Sequence, residues 1–219
     1  MAGLGVDIAE VFTELGSTVE IYKHATGETY TEYIDSEQDT TRSSPFDSHF
    51  MKICSFPYNT HATPGDLISF TDYDPVDRFL LVSQAPEVFE KEIISKEGIL
   101  YKCNAIVEFK RKVEVRNPVT YELSHEWQTQ YSGEYVLFTG QLSDMRVSDE
   151  RYGTTIIDKN LMYVSADIEI ETADRCVVST SFNVVSGEII SGEMYSIDYF
   201  EEHRLPGIKI CRVSEDTRG

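Results

Sequence analysis

The residues of this chain whose types and spacing first raise the question of nucleophilic or metal chemistry are four cysteines, five histidines and an acidic tip at 72–77. Cys54, Cys103, Cys176 and Cys211 are spread along the chain and form no C-x-x-C pair, so neither a zinc-ribbon nor a disulfide-scaffold spacing is present. They read as reduced packing thiols. Cys103 has the most ambiguous setting, in "GILYKCNAIVEFKRK" (98–112), beside Lys102 and close to a basic run. Set out by pleat, Ile99, Tyr101, Cys103, Ala105, Val107 and Phe109 fall on one face. Leu100, Lys102, Asn104, Ile106, Glu108 and Lys110 fall on the other. One long, half-buried antiparallel strand with Cys103 in its core face is expected.

The histidines His24, His49, His61, His125 and His203 are isolated, no two at metal-ligand spacing on one element. In "SHEW" (124–127) His125 and Glu126 are strand neighbours, so they face opposite ways. The tip "DYDPVD" brings Asp72, Asp74 and Asp77 together as oxygen ligands of the kind calcium takes. The glycine and distal glutamate of an EF-hand loop are missing, and solvated turn acids are the simpler reading. "VVSGE" and "IISGE" lack the glycine two before serine that a nucleophile elbow needs. Phosphate-loop and dinucleotide glycine patterns are also absent. No catalytic residue, cofactor or metal is assigned, and the chain is expected not to be an enzyme. A hydrolase or metal-dependent enzyme built on the acidic loops is the rival of another class.

Net charge is −19, from 38 acids and 19 bases. That balance opposes general adhesion to nucleic acid, which is held by lysine and arginine displacing counterions. The one local reversal is "KRKVEVR" (110–116), where Lys110, Arg111, Lys112 and Arg116 stand against Glu114. Contact with an acidic neighbour fits this run, and another copy of the chain would serve; a solvated strand end is the plain alternative. No early apolar run follows a basic start, and no run approaches membrane-span length, so synthesis in a reducing cytoplasm and no membrane partner are expected.

The elements that must carry these residues are mostly strands. Asp7 and Glu10 fit a capping box, and Ile8, Val11, Phe12 and Leu15 form one apolar stripe, so 1–16 is a short helix ended by Gly16 as a left-handed cap. Its stripe docks on the chain's own core or on a neighbouring subunit. From Ser17 the period changes to two. Residues 25–49 read as an extended loop or loose hairpin reaching a partner through Tyr30, Tyr33 and Phe46. Around the acidic tip, "GDLISF" and "DRFLLVSQ" read as a hairpin, and 85–98 as a short helix or loop. Asn117-Pro118 turns between two further strands. Beyond 160, β-branched runs recur at turn-separated intervals.

The expected fold is mainly β: antiparallel barrel or sandwich modules with one short N-terminal helix and long loops. The expected division is a helix at 1–16, a barrel-like module at 17–116 and a second β-rich module at 117–219. An internal echo joins "GDLISF…DRFLLVS" to "ADRCVVST…EMYSIDYF". It is open to two readings, two related small barrels or the common grammar of hairpins, and the second is the simpler.

Three phrases, in order, carry a resemblance: "FTELGSTVEIYKHATGETYTEY", "PGDLISF…DRFLLVSQAPEVFEKEIISKEGILYKCNAIVEFKR" and "FNVVSGEIISGEMYSIDYFEEHRLPGIKICRVSEDTR". Together they resemble virion structural proteins of tailed bacteriophages, of the neck, head–tail connector or head-closure kind. The resemblance covers most of the chain and is weakest at 132–165. It implies non-enzymatic β-barrel modules assembled as a ring in the virion neck, closing the DNA channel and offering a tail-docking surface. The implied partners are other copies of the chain, portal or adaptor and tail proteins, with DNA passing the lumen unbound. A tail or baseplate component is the alternative. A minimal head-closure module needs only about half of this length, so the second half must be a further module. Candidate contacts are Ile8, Val11, Phe12 and Leu15 on the helix, Tyr30, Tyr33 and Phe46 in the following segment, and Lys110, Arg111, Lys112 and Arg116.

Overall fold

The computed structural model describes residues 4–37, 51–71, 77–119, 121–141, 146–149, 153–156, 159–182 and 189–218. One helix, α1 (Leu4–Leu15), precedes strands β1 (Ser17–Tyr22), β2 (Thr29–Glu37), β3 (Met51–Pro57), β4 (Leu67–Phe70), β5 (Phe79–Phe89) and β6 (Glu92–Lys102). There follow β7 (Ala105–Arg116), β8 (Leu123–Gln141), β9 (Arg146–Asp149), β10 (Gly153–Ile156), β11 (Lys159–Ser165), β12 (Arg175–Phe182), β13 (Ile189–Leu205) and β14 (Ile208–Glu215). β1-β2-β3-β6-β5-β4 close into one barrel, β7-β8-β11-β14-β13-β12 into another, and β9-β10 form a separate hairpin. The expected mainly β class with a short N-terminal helix is what the chain adopts. Two compact units result: residues 1–103 with 164–168 and 202–209, and residues 104–163 with 169–201 and 210–219.

The barrel boundary falls at Cys103/Asn104, not at 116/117. Residues 105–116 pair with β8 and β12, which commits them to the second barrel. The single strand expected over 98–112 is therefore two strands. Leu100 is buried in β6, and Val107 and Phe109 in β7, so the inward phase changes across the break. Cys103 is buried at the break itself, where its amide donates to the Arg78 carbonyl. The helix or loop expected at 85–98 is a hairpin. Its two turn residues, Glu90 and Lys91, have φ of 48° and 72°, the left-handed pair of a tight strand connection.

The first barrel closes on Val19, Ile21, Ile34, Cys54, Phe56, Ile68, Phe70, Phe79, Leu81 and Leu100, all buried. The second repeats it strand for strand. In chain order both barrels pair first-second-third-sixth-fifth-fourth and then close fourth to first. The register repeats too. Val19 faces Phe70 and Ile21 faces Ile68; Val107 faces Val178 and Phe109 faces Cys176. Glu32 and Tyr33 pair with Val19 and Thr18, as Glu134 and Tyr135 pair with Val107 and Ile106. The echo read as hairpin grammar is thus the trace of two barrels on one plan.

The entry to each fourth strand shows the plan most closely. The Asp66 amide donates to the Thr63 carbonyl, and the Thr63 amide returns 2.7 Å to Asp66 Oδ2. Asp174 and Glu171 make the same two bonds, the second also 2.7 Å. Gly65 and Ala173 donate to Leu81 and Ile197, whose own amides donate back to the Asp66 and Asp174 carbonyls. Both turns need a left-handed residue, φ 100° at Gly65 and 72° at Ala173. A Cβ at Gly65 would lie 2.2 Å from the Gly207 carbonyl oxygen, so glycine is required there by space as well. Each aspartate is buried, and each meets a cation one residue past the point where the first strand stops pairing with the fourth. Lys23 Nζ lies 2.8 Å from Asp66, and Arg111 Nε and Nη2 lie 3.0 and 2.8 Å from Asp174.

α1 spans Leu4–Leu15, so Asp7 lies in its first turn and is not the cap that opens it. Gly16 is not left-handed; it is small because a Cβ would sit 2.5 Å from the Phe12 oxygen.

Candidate assembly surfaces

Among the described residues no group of three or more His, Cys, Asp or Glu side chains could hold a metal ion. Cys103 and Cys54 are pushed up to about 12 by burial, and burial also raises Cys176. A thiolate is the reactive form, so these three thiols are inert at neutral pH. Of the acidic tip, 72–76 lies outside the described residues, and Asp77 pairs with Lys102 at 2.6 Å.

Two polar clusters hold their units together. In the first barrel Glu32 accepts from the Thr60 hydroxyl, the His61 amide (2.8 Å) and His61 Nδ1 (2.7 Å), and the His61 ring stacks on Tyr30 at 4.2 Å. In the second barrel the side chain of Asp216, 1% exposed, takes Arg175 Nε at 2.7 Å and Arg218 Nε at 2.8 Å. The Arg218 bonds, then those of Arg175, hold its carboxyl well below the usual range, against the opposing pull of burial. Arg175 and Arg218 also lie over Trp127, 4.0 and 5.3 Å from the ring centre, and Arg175 donates to the Arg218 carbonyl. This clamp pins the C-terminal segment. Its only sequence signal was opposite charge in "EDTR" and in "ADR", too common to single out.

Several candidate contacts are claimed by the chain itself. Phe12 and Gly5 form the buried face of α1, against the first barrel. Tyr30 is half-buried on His61. Arg111 is spent on Asp174 and, at 2.7 Å, Glu171, and Lys110 pairs with Glu108 at 3.0 Å. Phe46 lies outside the described residues.

Other candidates are free to meet a neighbour. Val11 and Leu15 are exposed, Leu15 at 83%, and Leu4 joins them with half-buried Ile8 between. The spacing 4-8-11-15 makes these one face of the helix. Tyr33, Lys112 and Arg116 are exposed.

Two apolar projections escaped the sequence reading. At the β5–β6 tip, Val88, Phe89 and Ile93 are exposed. This tip abuts α1, since Gly5 comes so close that a Cβ there would lie 3.0 Å from the Ile93 oxygen. The β7–β8 tip exposes Val119, Tyr121 and Leu123, at 82%, 66% and 64%. Apolar residues flanking Asn117-Pro118 in an otherwise polar ribbon were the signal that could have found it.

The β7–β8 ribbon grows from the barrel plan. The β1–β2 turn is closed by Lys23 N to Glu28 O and Gly27 N to Lys23 O. Asn117, Glu122 and Tyr121 make the same two bonds at the β7–β8 tip. The turn is therefore shared, but it begins six residues later in β7, past Arg111, the counterpart of Lys23. At ~3.3 Å per residue the ribbon runs about 20 Å further. Register places Lys112, Glu114 and Arg116 on one face with Trp127, His125 and Leu123, and puts Glu126 on the other. The Arg116 guanidinium lies 4.9 Å from the Tyr121 ring.

No family model, curated protein or solved structure matches this chain. Among the described residues no helix is long and apolar enough to cross a membrane.

Proposed function

We propose that this protein is a non-enzymatic structural component of a tailed-phage virion, assembling as a ring in the neck between head and tail. The observation that carries this reading is a pair of closed barrels bearing exposed apolar projections. Barrels remove the free sheet edges that would pair indiscriminately, and among the described residues α1 and the two hairpin tips are places where a neighbour gains apolar burial. Exposed apolar surface of this kind marks interaction sites. The resemblance of the three phrases to neck proteins supplies the location. A net charge of −19 suits a lumen that passes DNA without holding it, because carboxylates repel phosphate. Two barrels in one chain also account for a length about twice that of a minimal closure module.

Light scattering on the purified protein tests the assembly. A mass that rises in multiples of the single chain with concentration is expected. A strict monomer that turns over a small-molecule substrate would overturn the reading. The tail or baseplate reading shares the barrels and the exposed tips, and differs only in where the protein sits.

A further inference from the structure

Resting on the ring reading, we infer that the β7–β8 ribbon of one copy docks on the α1 surface of the next copy, making a head-to-tail interface. Three observations carry this. First, both surfaces are apolar and uncovered within the single chain: Leu4, Val11 and Leu15 with the adjoining Val88, Phe89 and Ile93 on one, Val119, Tyr121 and Leu123 on the other. Second, their charges are complementary. α1 carries Asp7, Glu10 and Glu14 and no base, and the neighbouring β5–β6 turn adds Glu90 and Glu92 against Lys91. The ribbon face that bears Leu123 carries Lys112 and Arg116 against the single acid Glu114. In a chain this acidic, an apolar ribbon face with an excess of base, Glu126 lying on the opposite face and Glu122 in the turn, selects an acidic apolar acceptor, and a second copy supplies one. Third, these are the elements that the repeated barrel plan does not require. The first barrel alone has a preceding helix, since β7 follows β6 after two residues, and the second barrel alone has the lengthened ribbon.

Such an interface joins two different patches, so it leaves one tip and one acceptor open at the ends of any short oligomer. It grows into a ring if the rotation closes and into a filament if it does not. Tip-to-tip pairing would instead bring together two faces that each carry Lys112 and Arg116, and helix-to-helix pairing two helices that carry acids and no base.

The test is complementation between two variants. Tyr121→Asp with Leu123→Asp spoils the tip and leaves the acceptor; Val11→Asp with Leu15→Asp spoils the acceptor and leaves the tip. All four side chains are exposed, and unchanged thermal unfolding checks that the barrels stand. Under conditions where the wild type assembles, each variant alone should sediment as a single chain. An equimolar mixture should form a two-chain species and nothing larger. If either variant assembles alone, or the mixture stays monomeric, the tip-to-helix pairing is wrong, although the wild type still assembles. A wild type that never assembles contradicts the ring reading itself. Should an aspartate variant unfold, Lys112→Glu with Arg116→Glu replaces it. That pair should weaken association about tenfold or more, and adding Asp7→Lys and Glu10→Lys should recover it; failure to recover overturns the charge pairing.

Discussion

The two barrels share strand order, pairing register and the aspartate turn into the fourth strand, yet differ in what is attached to them. The first carries α1 before its opening strand. The second carries a ribbon in place of a short turn. What the barrels share is what closing a six-stranded barrel demands: inward aliphatics, a left-handed turn residue, and a buried aspartate with a cation. What they do not share lies outside that demand, and under the proposed assembly is what meets a neighbour. An internal repeat thus serves as its own control, separating residues that hold the fold from residues that meet something else.

The largest expected effects test the shared part. Asp66→Ala and Asp174→Ala each strand a half-buried cation and one backbone amide, that of Thr63 or Glu171, and should each cost about 2–3 kcal/mol in urea unfolding. Near-equal losses support the equivalence; a large loss at one and none at the other breaks it. Next is the left-handed position. Gly65→Ala forces a Cβ onto the Gly207 carbonyl and should cost about 2 kcal/mol. Ala173→Gly relieves a positive φ and should change stability by less than about 1 kcal/mol.

A third effect belongs to the second barrel alone: the Asp216 amide donates to the Met194 carbonyl as the Cys103 amide does to Arg78, so Cys103 holds the equivalent position in the first barrel. The Asp216 carboxyl is lowered in the folded state by Arg218 and Arg175. A lowered folded value gives stability that is complete above the unfolded carboxylate value, ~3.9, and is lost as pH falls through the folded value. Asp216→Asn should therefore be destabilised at pH 7, with the gap to wild type closing as pH falls below about 4. A gap that stays constant into acid would remove Asp216 as the titrating group. The smallest effect is expected from trimming. Replacing residues 113–126 by a four-residue turn should alter monomer unfolding by about 1 kcal/mol or less, since the deleted ribbon is largely exposed, while abolishing self-association.

The β class was legible because alternation is written locally in runs such as "TVEIY" and "RCVVST". The aspartate entries were visible as an echo, since Asp66 and Asp174 each lead a strand, but the bonded turns around them were not, and hairpin grammar was the simpler reading. The break at Cys103 was not. A strand that ends and restarts two residues later keeps its apolar residues, and only the pairing partners β3 and β12 show that the inward phase has shifted. For the same reason the barrel identity was hidden: register is a property of pairs, and Ile68/Cys176 or Ile21/Phe109 look unrelated until their partners are known. On α1 the stripe was read as one apolar unit, facing either the chain's own core or a neighbour. Phe12 turns to the barrel while Val11 and Leu15 turn away, a division set by where the barrel lies and not by spacing.

The proposal that this is a virion protein of the neck is tested most directly by imaging intact tailed-phage particles produced with a copy of the chain labelled at the exposed β7–β8 turn. The account predicts a ring of signal at the head–tail junction. Signal at the distal tail tip, or particles that lack the protein altogether, would contradict it.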